Sequence, residues 1–172
     1  MRVPSLYSKE IMKHFKNPKN VGVIKNFDGL GKVGQPICGD VLWFYIKIKE
    51  NKKTKKKIIS DAKYQTFGCV VALANSSLLT TIIKGKTIEE ALKIKKEDIL
   101  KKLKNVPIIK LHCSVLAIDA LSEAIYDYYK KNNLSIPIEL EKRHQNIQQT
   151  LKNVEKRHKE YIEFEKKMWG RK

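Results

Sequence analysis

Val41-Leu42-Trp43-Phe44-Tyr45-Ile46-Lys47-Ile48-Lys49 and Ile58-Ile59-Ser60-Asp61-Ala62-Lys63-Tyr64-Gln65-Thr66-Phe67 decide how this chain folds. Both are rich in β-branched and aromatic residues. Trp43 and Tyr45 alternate with Leu42, Phe44 and Ile46, and Ile46 and Ile48 then alternate with lysines, the period-2 signature of a strand with one buried face. Residues 50–56 between them are polar and lysine-rich. They are too few for a crossover, so the two strands must run antiparallel as a hairpin. The lysines of the tip read as a solubilising cover that discourages edge pairing.

On the N-terminal side, residues 5–15 read as a short helix, with Leu6, Ile11, Met12 and Phe15 near one face. Asn17-Pro18 stops it, because a residue before proline avoids the helical region. Gly29-Leu30-Gly31-Lys32-Val33-Gly34 matches G-x-G-x-x-G. A dinucleotide fingerprint needs a helix directly afterwards to receive the pyrophosphate, and Gln35-Pro36 stands there instead, so it is not read as a nucleotide loop.

Beyond the hairpin, residues 70–84 read as a helix with Val70, Val71, Ala74, Leu78 and Ile82 on its apolar face, closed by Gly85. Thr87-Ile88-Glu89-Glu90 is a capping box. Residues 97–103 form another short helix, and residues 106–109 an extended breaker. Ser114 is placed as N-cap of a helix over 115–130, with Val115, Leu116, Ile118, Leu121, Ile125 and Tyr128 as its buried stripe. After Asn132-Asn133 the character changes. Residues 135–172 carry Ile138, Ile147, Leu151, Val154, Tyr161, Ile162 and Met168 at helical spacing in a charged background, which predicts one long amphipathic helix packed on the core or on a second subunit. The expected division is a domain over 1–134 and a helical extension over 135–172.

The 172 residues are 42% apolar, enough for a packed core. No run approaches a transmembrane span, and the N-terminus lacks the apolar stretch of a signal peptide, so a cytoplasmic, non-membrane location is expected. The net charge is +18, yet only four of the 36 basic residues are arginine and the charge is spread along the chain. Lysine enrichment of a solvated surface explains this better than a nucleic-acid face. Three cysteines without a C-x-x-C pair argue against a disulfide framework, a zinc ribbon or a ferredoxin-type cluster.

The chemistry-bearing residues fall at element boundaries. Cys38-Gly39-Asp40 puts a thiol and a carboxylate on a glycine turn; Cys69 opens one predicted helix, and His112-Cys113 immediately precede another. Helix N-termini lower a thiol pKa, and thiolate is the form that binds metal or attacks sulfur. Singly, each residue has a plain structural explanation: a buried small apolar thiol, a turn aspartate, a histidine bonded to backbone. Together they form a candidate metal site of three thiols, one imidazole and one carboxylate.

Residues 17–22 (Asn-Pro-Lys-Asn-Val-Gly), 36–40 (Pro-Ile-Cys-Gly-Asp), 64–69 (Tyr-Gln-Thr-Phe-Gly-Cys), 85–91 (Gly-Lys-Thr-Ile-Glu-Glu-Ala) and 110–114 (Lys-Leu-His-Cys-Ser) resemble, in order and spacing, the U-type iron–sulfur cluster assembly scaffold family of the Isc and Nif systems. The resemblance runs from about Leu6 to Tyr129. It implies an α+β fold, a three-stranded antiparallel sheet with helices packed against it, to which the C-terminal amphipathic helix is added. It implies a non-enzymatic scaffold on which Cys38, Cys69 and Cys113 hold a transient [2Fe–2S] cluster, with Asp40 and His112 as exchangeable ligands. Cys113 matches the position that accepts persulfide sulfur from a cysteine desulfurase, with Lys110 assisting. Apo-proteins or carriers would receive the cluster. Zinc suits the same ligands when iron is absent.

The chain departs from the family pattern in three places. Val70-Val71 replace a small Gly-Ser pair. Residues 106–110 only partly match the Leu-Pro-Pro-Val-Lys signal read by the Hsp70-type chaperone, so that partner does not carry over cleanly. The tail has no counterpart in the short scaffolds; desulfurase binding or self-association into a homo-oligomer are its expected roles. The competing functions are a zinc-binding sulfur relay that builds no cluster, a thiol enzyme with Cys113 as nucleophile, and a basic nucleic-acid binder.

Overall fold

The computed structural model describes residues 6–34 and 39–169. One antiparallel sheet holds strands β1 (Gly29–Gly34), β2 (Val41–Glu50) and β3 (Lys57–Phe67) in that order. Around it lie helices α1 (Lys9–Lys16), α2 (Val70–Ile83), α3 (Ile88–Leu92), α4 (Lys96–Leu103), α5 (Leu111–Lys131) and α6 (Ile138–Trp169). The expected α+β architecture with a C-terminal helix is present.

The third strand is the glycine run. A Cβ on Gly31 would lie 1.9 Å from the Ala120 carbonyl oxygen, and one on Gly29 would lie 2.1 Å from that of Ala124. Helix α5 therefore rests with its backbone almost on the strand, and the small Ala120 and Ala124 face the glycines. Leu30 N–H donates to Asp127 Oδ2 of the same helix at 2.8 Å. G-x-G here serves close helix–sheet approach, not a phosphate.

Leu42, Phe44 and Ile46 of β2 and Ile59, Ala62 and Tyr64 of β3 form the inner face of the sheet. Ile59 and Ala62 are three positions apart along the strand, rather than the two that keep one face. A register shift between Lys47 and Ile48 absorbs the extra residue, so both side chains turn inward.

Helix α2 lies between α1, β3 and α5 and is buried nearly all round. Leu79 and Ile83 are fully buried, whereas Val70, Leu78 and Ile82, expected on its inner face, are only partly so. Its buried hydroxyls hold the 17–22 loop: Ser77 Oγ accepts from Lys19 N–H at 2.8 Å, and Asn20 Nδ2 donates to Thr80 Oγ1 at 3.0 Å. Ser8 caps α1 and also donates to the Leu103 carbonyl, tying α1 to α4.

Two local readings are corrected. Residues 108–110 form a 3-10 turn rather than an extended breaker, and α5 begins at Leu111. His112, Cys113 and Ser114 thus occupy its first turn, and Ser114 is a buried helical residue instead of an N-cap.

The long tail helix is confirmed, and its first half packs on the core. Leu140 and Ile147 are buried. Arg143 donates from Nε and Nη2 to Asp119 Oδ1 at 3.0 and 2.7 Å. His144 stacks on Tyr126 at 3.7 Å between centroids and meets Glu123 Oε1 at 2.9 Å, while Gln148 donates to the same carboxylate. Burial raises the pKa of Asp119 and Glu123, and their basic partners on α6 oppose it.

Gly31→Ala is expected to destabilise the fold by about 3 kcal/mol, because neither backbone can give way. Gly34→Ala places its methyl 3.5 Å from Leu151 Cδ2, an ordinary contact, and is expected to be near neutral. Urea denaturation of the two variants checks the contrast.

Candidate metal centre

Three chain segments converge at one end of the sheet. Gly39 has φ +72°, a conformation that favours glycine, and delivers Asp40 to the start of β2. Cys69 follows β3 as the N-cap of α2, its Sγ accepting from Ala72 N–H at 3.5 Å. Cys113 comes from the first turn of α5.

Asp40, Cys69 and Cys113 present ligand atoms that all lie within 4.8 Å of one another. The two sulfurs are 3.4 Å apart, and Cys113 Sγ is 3.6 Å from Asp40 Oδ2. That carboxylate oxygen also accepts from Cys69 N–H at 3.3 Å. Gly68 makes room for it, since a Cβ there would come within 2.9 Å of Asp40 Cγ. Cys113 is fully buried, Asp40 nearly so and Cys69 half-buried, so the cluster opens to solvent on the Cys69 side.

The Cys69 thiol is lowered to about pKa 6. The hydrogen bond from Cys113 is the main cause, helped by N–H groups of Ala72 and Val71; burial and the Asp40 charge push the other way. Cys69 is therefore largely thiolate at neutral pH, ready to bind a metal.

His112, in the same turn as Cys113, is not in the three-residue group. Its Nε2 is buried without a hydrogen-bond partner, an arrangement that costs about 1–3 kcal/mol unless a ligand takes it up. Two thiols, a carboxylate and an unpartnered imidazole nitrogen fit iron or zinc. Lys110 closes the 3-10 turn ahead of α5. Cys38, two residues before Asp40, lies outside the described residues.

Sequence reasoning missed Asn75. It is wholly buried in α2 and donates from Nδ2 to Ser114 Oγ at 3.2 Å, joining the helices that carry Cys69 and Cys113. An amide among the apolar and small hydroxyl residues of that helix was the available signal.

The chain is similar to several known proteins. The profile of the NifU-like N terminal domain matches residues 6–135. The chain is 51% identical over 127 residues to "Iron-sulfur cluster assembly scaffold protein IscU 1" of Archaeoglobus fulgidus, covering 74% of this chain and 79% of that one. It is 47% identical over 135 residues to "Iron-sulfur cluster assembly enzyme IscU" of Drosophila melanogaster, covering 77% and 84%. Among solved structures, the N-terminal NifU-like protein of Brucella abortus superposes with a TM-score of 0.60 at 19% identity, covering 73% of this chain and 96% of that one, a likeness of fold.

Alkylation of Cys69 by iodoacetamide, followed by peptide mass spectrometry, is expected to rise with pH through a midpoint near 6. Cys113→Ala removes the donor that stabilises the thiolate and should move the midpoint up. Asp40→Asn removes the opposing charge and should move it down.

Proposed function

Because the chain belongs to the NifU-like N-terminal domain family, we propose that it is a scaffold for building iron–sulfur clusters, and not an enzyme. The observation that carries this reading is the meeting of Cys69, Cys113 and Asp40 within 4.8 Å at one end of the sheet. Iron and sulfide are the cargo. Cys38, Cys69 and Cys113 supply thiolates, the ligands iron–sulfur clusters prefer. Asp40 and His112 are the harder donors that complete the set and leave it when the cargo, a [2Fe–2S] cluster, passes to an apo-protein or carrier.

Sulfur arrives from a cysteine desulfurase. The Cys113 thiolate attacks the terminal sulfur of the donor's persulfide, a new S–S bond forms on Cys113, and the donor's thiolate leaves. Lys110 favours the anionic form of the acceptor. Cys113 is buried, so this step requires the first turn of α5 to open towards the donor. The assembly unit comprises residues 1–134, and residues 135–172 are an added helical extension; in keeping with this, the family match ends at residue 135. The protein works in the cytoplasm; among the described residues no helix is long and apolar enough to cross a membrane.

A second reading has a specific basis. The same donor set suits tetrahedral zinc, and a zinc-loaded chain relaying sulfur without building a cluster would use the same thiols.

Anaerobic reconstitution with ferrous iron, cysteine and a desulfurase separates the two. The scaffold reading expects a labile [2Fe–2S] spectrum that transfers to an apo-ferredoxin, lost in Cys38→Ala, Cys69→Ala and Cys113→Ala. A stable cluster in all three variants overturns it, and zinc that survives the treatment without cluster formation favours the relay.

A further inference from the structure

Helix α6 crosses two of the elements that lead to the metal centre. It meets α5 first. Leu140 is buried, and Arg143 donates from Nε and Nη2 to Asp119. His144 and Gln148 both meet the Glu123 carboxylate, and the His144 ring lies on Tyr126 only 7° from parallel. Leu151 then reaches β1, with its Cδ2 3.5 Å from where a Cβ on Gly34 would stand.

These are separate ties, part polar and part apolar, unlike the contact on the other side of α5. There the helix rests on the backbone of Gly29 and Gly31 with no side chain between. On the α6 side, one cleft of about 470 Å³ lies between Gln148 and Leu151 and the β1 residues Leu30 and Lys32. Another of about 410 Å³ lies between Ile147 and Thr150 and the core residues Leu116 and Val33. An element held at discrete points across such clefts bears on α5 as a strap. The matched family domain ends at residue 135, before α6 begins at Ile138.

We propose that α6 is a strap that restrains the opening of α5, with Arg143 as a positioning residue acting through Asp119, and that it thereby sets how fast Cys113 is presented to the sulfur donor. The inference rests on the scaffold reading for the use of Cys113, and it gives the tail helix a task of its own. Cys113 is fully buried in the first turn of α5. Asp119 follows it by about 9 Å along the same helix. Local opening of a helix end breaks the contacts that the end shares with its neighbours, and it stops where the next contacts hold. A helix tied at Asp119 and Glu123 releases the turn ahead of those ties and keeps the rest. His112 and Cys113 then close back to the same place beside Asp40 and Cys69.

Arg143 is the tie whose removal can be both made and repaired. The Asp119 side chain is 25% exposed and that of Arg143 36%, so both positions accept a charge of either sign. Exchanging the two charges restores the pair, whereas changing one sign sets like charges against each other. A tail that only added stability would slow exchange in every core element alike. A strap acts on α5 and leaves β3 as it was.

Amide hydrogen exchange of the full, metal-free chain, read by peptide mass spectrometry, tests the strap. Arg143→Asp is expected to speed exchange in peptides covering residues 111–120 about tenfold and to leave those of β3 at the parent rate. Adding Asp119→Arg should return the α5 rate to within about twofold of the parent. Gln148→Ala leaves Glu123 its His144 partner and should give about a threefold effect, so it decides the matter where Arg143→Asp disturbs the fold. With a cysteine desulfurase and cysteine, Cys113 of Arg143→Asp should gain one sulfur about tenfold faster, the donor's persulfide giving up its terminal sulfur and leaving as a thiolate. Unchanged α5 exchange in both variants overturns the proposal. So does acceleration that spreads equally to β3, and so does faster exchange without faster sulfur uptake. Exchange needs neither metal nor sulfur donor, so absence of uptake in the parent chain counts against the scaffold reading alone, and exchange still decides whether α6 restrains α5.

Discussion

The backbone-to-backbone approach of α5 to β1 is the contact on which the rest of the structure depends. Ala120 and Ala124 carbonyl oxygens stand where side chains on Gly31 and Gly29 would be, so the helix has one permitted height above the sheet. That height carries consequences to its N-terminal end. Cys113 lies two turns before Ala120 on the same rigid helix, and its sulfur meets Asp40 and Cys69, which belong to the sheet and to α2. A helix raised by even one methyl group would separate the thiols. The glycines therefore act on the site from a distance, through a helix that does not bend to accommodate them.

Each ligand is also placed by a local device that has nothing to do with metal. Gly39 supplies a left-handed turn, Gly68 supplies the space filled by the Asp40 carboxylate, and the N-terminus of α2 supplies donors to the Cys69 sulfur. Asn75 and Ser114 lock the two cysteine-bearing helices together below the site. Such a centre is organised before cargo arrives, so binding need not meet the full entropic cost of assembling its ligands.

Much of this was legible in the chain, for identifiable reasons. The β2–β3 hairpin showed itself through strict alternation, and α3 through its capping box, because both signals are written in side chains. Cys69 and Cys113 were recognisable as helix-terminal thiols, and Asp40 as their companion through a motif. Strand β1 was not visible to periodicity, since three of its six residues are glycine and carry no hydropathy to alternate. The inner face of α2 was misjudged because that helix is surrounded on three sides, which removes the contrast an amphipathic pattern needs. Ser114 was misread as a cap because a hydroxyl at a helix start usually caps; here the 3-10 turn of residues 108–110 leads into the helix four residues earlier.

The exposure of the three ligands bears on what the centre can do. A site for permanent storage gains from enclosing its metal in uniformly soft thiolates, because both the ligand chemistry and the exclusion of water then resist loss. This centre is graded instead. Cys113 is sealed in the core, Asp40 is a hard donor that also holds the Cys69 backbone, and Cys69 stands half-open at the rim. On the scaffold reading, exchange would run from the rim inward, with the buried thiol keeping its hold longest. On the same reading, this grading of burial, with one hard donor between two thiols, gives release a path without requiring the core to open.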